Sequence, residues 1–336
     1  MKICTPDQYE QFQCLAGACR DTCCAGWELP VDEATVARYA LLSGEWGQKL
    51  HDGVLTVDGE RQMKRRKGRC IFLNEENLCE LYTHLGAEAL CQVCTQHPRF
   101  IEEYGAWREI MPSLSCPAWS DLYLMSDEPV HFTIKEDGAA VTTYNDIDGA
   151  WFYRLKKARE EAFALVQNRE KPLSDRVEEL LSFAEAMQEG TEEKEESLPG
   201  KIWPAYRRKL QSLEILTPQW KHLLKDDPKQ ETNKLFSWQD VVGEQVLVYY
   251  LFRFFMRAVY DGGVLPWTKM AVWSWIVVRT LGRGCETREE FCEVTRLYSK
   301  EIEHSAKNVD ALHRVLCRHS GRYGAAGLLS AMEEWS

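Results

Sequence analysis

Hydrophobic and polar residues follow two different patterns along this chain, and the change comes near residue 125. Before that point, short apolar segments are separated by Cys, Gly and Pro. After it, apolar residues recur every three or four positions over long stretches, a period that is typical of amphipathic helices. The pattern therefore predicts a cysteine-rich domain over residues 1–125 and a helical domain over residues 126–336.

The second part of the chain predicts a series of helices joined by short connections. The expected helices cover residues 148–168, 174–187, 203–216, 219–224, 237–260, 267–281, 287–307 and 309–316, with a further one in the final residues. Helix 237–260 is apolar almost all round, which places it centrally in the core. Ser174 is expected to cap the second of these helices. Residues 189–200 are acidic and bounded by Gly and Pro, which predicts a linker.

Two Asp-Gly pairs predict β-hairpins. Asp58-Gly59 lies within residues 54–63, and Asp137-Gly138 lies within residues 131–144; both pairs are flanked by β-prone residues. An Asp-Gly pair in that setting is a strong local hairpin signal. The chain lacks the strand and helix alternation of a doubly wound sheet, and it carries no GxGxxG sequence. The predicted fold class is therefore mainly α, with a cysteine-rich metal-cluster region and small β-hairpins at its N-terminal end.

Cysteine usage is the strongest chemical signal in the sequence. Ten of the thirteen cysteines fall within the first 116 residues, and eight of these form two bursts. Clustered thiolates typically hold a metal ion or an iron–sulfur cluster. A disulfide framework would need an oxidising compartment. The chain opens with polar residues and has no run of about 18 apolar residues, so we expect a reduced, cytoplasmic protein without a membrane span.

Spacing within the bursts identifies candidate ligands. Cys19 and Cys23 are four residues apart and would share a helix face, whereas Cys91 and Cys94 have the CxxC spacing of many zinc and iron–sulfur sites. The candidates that we expect to bind metal are Cys14, Cys19, Cys23, Cys24, Cys70, Cys79 and Cys94. Because they exceed four ligands, either some are structural or there are two metals. Spacing does not separate zinc from a [4Fe–4S] cluster, and His97 is interpreted as a loop residue rather than a ligand.

The net charge of the chain limits the kinds of partner that it is expected to bind. The formal net charge is −11, which argues against nucleic acid as a partner because phosphate binding requires a basic face. The locally basic run over residues 63–69 is interpreted as a solvated loop. The alternative is that its cations lie near an anionic cluster or ligand.

Several sequence blocks resemble a known family. They are Cys14, Cys19-Arg-Asp-Thr-Cys23-Cys24 with Gly26-Trp27, the block from Cys70 to Cys79, the block from Cys94 to Arg99, and Ser113-Leu-Ser115-Cys116-Pro117. Together they resemble the flagellin lysine-N-methylase family, and the cysteines also resemble a broader group of zinc- or iron-chelating domains. The resemblance is strong up to about residue 120. Cys91 departs from the pattern, which leaves it outside the expected ligand set.

The resemblance implies transfer of a methyl group from S-adenosylmethionine to lysines of flagellin, by an enzyme that carries a [4Fe–4S] cluster or, alternatively, zinc. Aromatic and acidic side chains suit a sulfonium and an ammonium group. On that basis we expect catalytic roles for Tyr249, Tyr250 and Glu244, and cofactor contacts from Asp146 and Asp148. Core packing or helix capping is the alternative for each of them.

Three other functions are alternatives to methyl transfer. A non-enzymatic zinc- or iron-chelating protein that binds a protein partner is the main alternative. A redox protein is a third possibility, for which the sequence offers no direct support. A radical enzyme is disfavoured because the third position of its CxxxCxxC loop is occupied by Gly26, and because the repeated strand and helix units of the matching barrel are missing.

Overall fold

A computed structural model describes residues 1–138, 140–141, 147–188, 201–225 and 237–334. The described part is mainly helical, as expected. Its α-helices are α1 Glu33–Ala40, α2 Gly44–Gly53, α3 Glu80–Leu85, α4 Gln92–Gln96, α5 Pro117–Leu124, α6 Gly149–Val166, α7 Leu173–Met187, α8 Trp203–Gln211, α9 Pro218–Leu223, α10 Ser237–Phe254, α11 Ala258–Asp261, α12 Val264–Leu281, α13 Arg288–Glu303, α14 Ala306–Leu316 and α15 Ala325–Glu333. Short 3₁₀ turns are Asp7–Gln11, Ala16–Ala18, Ala87–Ala89, Phe255–Arg257, Gly282–Gly284 and Gly321–Tyr323.

The strands form three small sheets within the described residues. They are β1 Lys2–Pro6, β2 Val54–Val57, β3 Glu60–Met63, β4 Arg65–Arg66, β5 Arg69–Cys70, β6 Arg99–Tyr104, β7 Trp107–Pro112 and β8 Phe132–Glu136. The largest sheet has the order β6-β7-β1-β8. Strand β1 pairs parallel with β7 and antiparallel with β8. The other two sheets are the hairpins β2-β3 and β4-β5.

The first hairpin prediction is confirmed. Val57 pairs with Glu60 across the turn, and the two turn residues have φ of 50° at Asp58 and 87° at Gly59. Two successive positive φ angles match the right-handed twist of the flanking strands, which is why an Asp-Gly pair is favoured there. At the second site, β8 forms the first expected arm and pairs with β1. Residues 142–146 of the other arm lie outside the described part of the chain.

The helix predictions are mostly confirmed, with shifted ends. Asp148 caps α6 by accepting hydrogen bonds from the backbone N–H groups of Ala150 and Trp151. The prediction that Ser174 caps α7 is wrong, because α7 begins directly after Pro172 and the Ser174 hydroxyl donates to Asp175 instead. The helix expected over 287–307 ends at Glu303, and Ser305 caps the next helix. The acidic segment 189–200 lies outside the described residues.

Two apolar clusters organise the packing. The smaller cluster draws on residues 24–94 and includes Leu50, Phe72 and the buried Cys91. The larger cluster joins the sheet and α5 to the helices, with α10 and α12 buried at its centre. The central position expected for the apolar helix at 237–260 is thereby confirmed. In the part of the chain that the structure describes, no helix has a stretch long and apolar enough to span a membrane.

Candidate functional site

One set of cysteine thiols gathers around the loop that follows Ala18. The charge of Cys14 raises the pKa of Cys19, and the charges of both raise the pKa of Cys116. The charges of Cys14 and Cys116 in turn raise the pKa of Cys23. We call Cys14, Cys19, Cys23 and Cys116 the first thiol group. Cys116 lies about one hundred residues from the others in sequence and directly precedes α5, and it was outside the expected ligand set.

A second set of thiols lies within the smaller apolar cluster. The charges of Cys24, Cys79 and Cys91 raise the pKa of Cys70. The charges of Cys91, Cys24 and Cys70 likewise raise the pKa of Cys94. The backbone N–H of Cys70 donates to the carbonyl of Cys24 at 2.8 Å, which ties the two bursts together. We call Cys24, Cys70, Cys79, Cys91 and Cys94 the second thiol group. It includes Cys91, which was also outside the expected set.

In two thiol pairs, a hydrogen bond joins the side chains and lowers the pKa of one thiol. Cys23 hydrogen-bonds to Cys24 and lowers the pKa of Cys24 to about 7, and Cys94 does the same to Cys91, whose pKa also falls to about 7. The pKa of each donor thiol is raised by the same hydrogen bond. Burial raises the pKa of Cys70 to about 11. One thiol in each pair is therefore partly ionised near neutral pH, and the thiolate is the form that binds metals.

The chemistry of the side chains suits a soft metal ion or an iron–sulfur cluster, because thiolates are the ligands that these groups prefer. Among the described residues, however, no three His, Cys, Asp or Glu side chains are spaced closely enough to hold a metal ion. Within the basic run over residues 63–69, Met63 ends β3 and is buried, whereas residues 64–69 are exposed, as expected for a solvated segment, and include the turn of the hairpin β4-β5. Arg69 on that hairpin also lowers the pKa of Cys24.

The loop between Cys19 and Cys23 is held to helix α13 by ion pairs. The Asp21 carboxylate accepts from Lys300 Nζ at 3.0 Å on each oxygen, and it also pairs with Arg296. Arg20 donates to Glu293 at 2.7 Å and to both carboxylate oxygens of Asp121 on α5. The side chain of Lys300 is only 7% exposed, so its pair with Asp21 is shielded from solvent. We call these contacts the loop clamp.

A cavity of about 710 Å³ lies beside the loop clamp. It is lined by residues of the loop, of α9 and its preceding segment, and of α13, among them Arg20, Asp21, His222, Arg296 and Lys300. Its size falls within the range of small-molecule sites. Charged side chains of both signs line its wall.

A cluster of aromatic rings lies on the other side of Lys300. The Trp27 ring stacks on His304 with centroids 4.5 Å apart and lies 5.0 Å from His97. The two imidazoles are 5.5 Å apart, and Phe100 lies 5.4 Å from His304. The ammonium of Lys300 sits 5.0 Å from the centroid of the Trp27 ring. We call Trp27, His97, Phe100 and His304 the aromatic cluster; all four are half-buried.

Hydrogen bonds connect His304 to a buried carboxylate. His304 Nε2 lies 2.8 Å from the Ser115 hydroxyl and 3.1 Å from that of Ser113, which in turn contacts Ser299 at 3.2 Å. Ser299 donates to Glu303 at 2.7 Å. Glu303 also accepts from Tyr249 at 3.0 Å on each oxygen and from Arg253 Nε at 3.1 Å. Burial raises the pKa of Glu303, and Arg253 opposes that shift.

The structure thus places the three expected catalytic residues in different surroundings. Tyr249 joins the network of Glu303 described above. Tyr250, the next residue, is fully buried among rings, and its hydroxyl has no hydrogen-bond partner in the part of the chain that the structure describes. Glu244 is buried and paired with Arg169 and Arg176 at 2.7–3.2 Å. That arrangement ties α10 to the α6–α7 connection.

Of the two expected cofactor residues, Asp148 serves as the cap of α6. Asp146 lies outside the described residues.

The residues that sequence reasoning missed lie mainly on α13. Arg296, Ser299, Lys300, Glu303 and His304 recur at three- and four-residue spacing along this helix and its end. Polar residues at that spacing usually mark a solvated helix face, but Ser299, Lys300 and Glu303 are buried here. The spacing of these polar residues was the only sign of them in the sequence. The sequence does not show whether such a row of polar residues on a helix is buried or exposed.

The chain is similar to proteins whose names refer to lysine methylation or to flagellar biosynthesis. Residues 225–330, which carry Tyr249, Lys300 and Glu303, match the family described as FliB lysine N-methylase C-terminal domain. The chain is 31% identical over 113 residues to the flagellar biosynthetic protein FliU of Salmonella muenchen, and the match covers 32% of this chain and 67% of that protein. The chain belongs to the flagellin lysine-N-methylase family.

Longer members of the family are matched over a smaller share of their length. Proteins named lysine-N-methylase from Salmonella typhimurium and Salmonella choleraesuis are 29% and 30% identical over 142 residues. That stretch covers 40% of this chain and 35% of each relative, so the match spans about a third of those proteins. No solved structure matches the chain significantly.

Proposed function

We propose that this member of the flagellin lysine-N-methylase family transfers a methyl group from S-adenosylmethionine to lysine side chains of flagellin, in the cytoplasm. The observation that carries the proposal is the match to relatives named lysine-N-methylase and to the FliB C-terminal domain. In the reaction, the lone pair of the lysine amine attacks the methyl carbon. The carbon–sulfur bond breaks, its electrons stay on sulfur, and the methylated ammonium releases a proton to solvent.

We further propose that the thiol groups hold a [4Fe–4S] cluster, with zinc as the alternative metal. The lowered pKa values of Cys24 and Cys91 favour their thiolate forms at neutral pH, and Cys70, Cys79 and Cys94 are the further thiols of the same group. A bound cluster or ion would cross-link loops that otherwise have little regular structure. The loop clamp supports this role, since it fixes the loop of Cys19 and Cys23 against α13.

The test is methyl transfer to purified flagellin with labelled S-adenosylmethionine, using protein purified without oxygen. Iron, sulfide and zinc are measured on the same sample. We expect near-stoichiometric iron and sulfide together with methylated lysine, and we expect both to be lost in Cys24→Ser and Cys94→Ser. Cys317→Ser is the matched control, because Cys317 is exposed and lies outside both thiol groups.

Two outcomes would separate the proposal from its main alternative. Metal-replete protein that neither methylates flagellin nor binds S-adenosylmethionine in a calorimetric titration would overturn the methylase proposal. That result would favour a chelating protein that binds a partner. Zinc in place of iron and sulfide would overturn the cluster assignment alone.

A further inference from the structure

The cavity beside the loop clamp lies between two helices. Glu293, Leu297 and Lys300 line it from α13, and their spacing of four and three residues places them on one face of that helix. Gln219 and His222 line it from α9. Residues of the clamped loop complete the lining. A molecule bound here would therefore contact the thiol loop and the matched C-terminal domain together.

Two shielded cations in this lining have hydrogen-bond donors to spare. The Lys300 ammonium has three N–H groups, and its acceptors among the described residues are the two oxygens of Asp21. Each of the three nitrogens of Arg296 contacts an oxygen of Asp21 or Glu293, which leaves one N–H on each terminal nitrogen. The side chains of Lys300 and Arg296 are only 7% and 13% exposed. Spare donors on shielded cations favour binding of an oxyanion such as a carboxylate.

Hydrogen-bond acceptors lie directly beside these donors. Glu293 accepts from Arg20 on one oxygen and from Arg296 on the other, and Asp21 is shared by Arg296 and Lys300. Because a carboxylate offers about four lone-pair sites, Glu293 can accept a further N–H. A free α-amino acid group carries an ammonium and a carboxylate on the same carbon, so both of its charged ends find partners on this wall.

Apolar side chains from both helices also line the cavity. Pro218 and Leu223 come from α9, and Val294 and Leu297 come from α13. Three of these four side chains are half-buried, so a ring or an alkyl group that packs on them removes apolar surface from water. At about 710 Å³ the cavity has room for a ligand that joins an amino-acid group to a nucleoside.

We propose that this cavity binds S-adenosylmethionine. The proposal rests on the methylase function given above and gives the methyl donor a place in the molecule. Arg296 and Lys300 would hold the carboxylate of the donor, and Glu293 would accept from its ammonium. The adenine would pack on Leu223 and Leu297.

A second cavity, of about 380 Å³, suits this ligand less well. Its buried cation is Arg159, whose two terminal nitrogens both donate to Glu109. One of those nitrogens also donates to the carbonyl of Phe252. The donors of Arg159 are thus largely committed to partners within the fold, whereas those of Arg296 and Lys300 are not.

The first experiment measures binding rather than turnover. The full chain, purified without oxygen, is titrated with S-adenosylmethionine in a calorimeter. Gln219 is exposed at the cavity, so Gln219→Trp would fill part of it, and we expect the Kd to rise at least on the order of tenfold. Lys221→Trp is the matched control, because it adds the same ring to the same helix at an exposed position outside the cavity lining. We expect it to keep the wild-type Kd.

The second experiment tests the contact with the ligand carboxylate. S-adenosylmethionine and its decarboxylated form are each titrated into the wild type and into Arg296→Gln. We expect decarboxylation alone and the substitution alone each to weaken binding on the order of tenfold. Because both changes remove the same interaction, their combined effect should be clearly smaller than the product of the two. Losses that simply multiply would overturn the assignment of the carboxylate to Arg296.

Hydrogen exchange followed by mass spectrometry locates the ligand without any substitution. We expect S-adenosylmethionine to slow amide exchange in peptides that cover residues 217–224 and 293–301, and to leave the hairpin over residues 54–63 unchanged. Slower exchange over residues 132–136 and 156–167 instead would place the ligand in the second cavity and would overturn the proposal.

Failure of this site differs from failure of the methylase function. Normal affinity for S-adenosylmethionine in folded Gln219→Trp and Arg296→Gln, in a protein that methylates flagellin, would overturn the site alone. A raised KM for flagellin in Gln219→Trp, with unchanged affinity for S-adenosylmethionine, would give the cavity to the protein substrate and would also overturn it. Wild-type protein that does not bind S-adenosylmethionine would overturn both. Thermal unfolding shows whether each variant is folded; where Arg296→Gln is not, Gln219→Trp and hydrogen exchange decide.

Discussion

Lys300 and Asp21 form an ion pair with both carboxylate oxygens 3.0 Å from the ammonium nitrogen, and this pair joins helix α13 to the loop between Cys19 and Cys23. The loop has little regular structure of its own, so its position depends on such long-range contacts. Because Lys300 also faces the Trp27 ring, one side chain links the thiol loop with the aromatic cluster.

Loss of the Asp21 carboxylate should destabilise the protein. In Asp21→Asn, Lys300 would lose the carboxylate that it pairs with, while Arg296 would keep its pair with Glu293. Removing one partner of a partly buried ion pair is costly. We expect the free energy of unfolding to fall by about 2 kcal/mol, since Asp21 is 26% exposed and solvent screens part of the effect. Urea unfolding measures this. Glu45→Gln, which breaks the exposed pair with Lys49, should leave the midpoint unchanged.

Tyr249 and Tyr250 give a matched pair of hydroxyl deletions. Tyr249→Phe removes a donor to Glu303 and the acceptor for the backbone N–H of Leu114, so we expect a loss of about 2 kcal/mol. Tyr250→Phe removes a buried hydroxyl without a partner and should change stability by less than about 1 kcal/mol. Chemical denaturation of both variants tests this. Equal losses would contradict the hydrogen-bonding difference between them.

The same two variants test the catalytic roles that were expected from sequence. We expect the methylation rate to fall in Tyr249→Phe, because Tyr249 helps to hold the network behind His304. Tyr250→Phe should retain the wild-type rate. A rate loss confined to Tyr250→Phe would reverse this assignment and would give the Tyr250 hydroxyl a role in the reaction.

His97 should make stability depend on pH. Its folded-state pKa is lowered to about 4, so the unfolded chain takes up a proton first as the pH falls below about 6.5. His97 therefore stabilises the fold at pH 7 and above, and this contribution is lost between about pH 6.5 and pH 4. The full effect amounts to about 3 kcal/mol at most. Unfolding measured at pH 7.5 and pH 5 should show a smaller difference for His97→Asn than for the wild type.

Cys24 should react faster than its neighbours in metal-free, reduced protein. Its pKa of about 7 leaves it partly ionised at neutral pH, whereas burial raises the pKa of Cys79. Both side chains are half-buried, so exposure does not explain a difference. We expect iodoacetamide at pH 7 to label Cys24 first when the modified sites are located by mass spectrometry. Cys23→Ala removes the hydrogen bond to Cys24 and should slow that labelling.

The sequence predicted features that depend on neighbouring residues. The Asp58-Gly59 turn and the Asp148 cap follow from local backbone chemistry, and the structure contains both. The grouping of thiols could not be predicted in the same way. Cys23 and Cys24 are adjacent in sequence but belong to different groups, and Cys116 joins the first group only because α5 packs against α13.

The aromatic cluster and its carboxylate were missed for a related reason. His304 meets Ser115 across 189 residues of sequence, and Glu303 meets Tyr249 across 54. Such contacts are created by helix packing and leave no local signature. Arg253 lies on a helix that is apolar almost all round, yet its guanidinium lies 3.5 Å from the centroid of the Phe100 ring and pairs with Glu303.

Strand β1 lies between β7 and β8 in the four-stranded sheet. Lys2 pairs with Trp107 on one side and with Glu136 on the other. A ribosome therefore releases this strand long before either neighbour, and the sheet assembles only after Glu136 has emerged. Both edges of β1 are open to pairing with other chains until β7 emerges, and the edge that β8 covers stays open until Glu136 follows. Synthesis of this protein thus includes an interval in which β1 has been made but neither of its partner strands is complete.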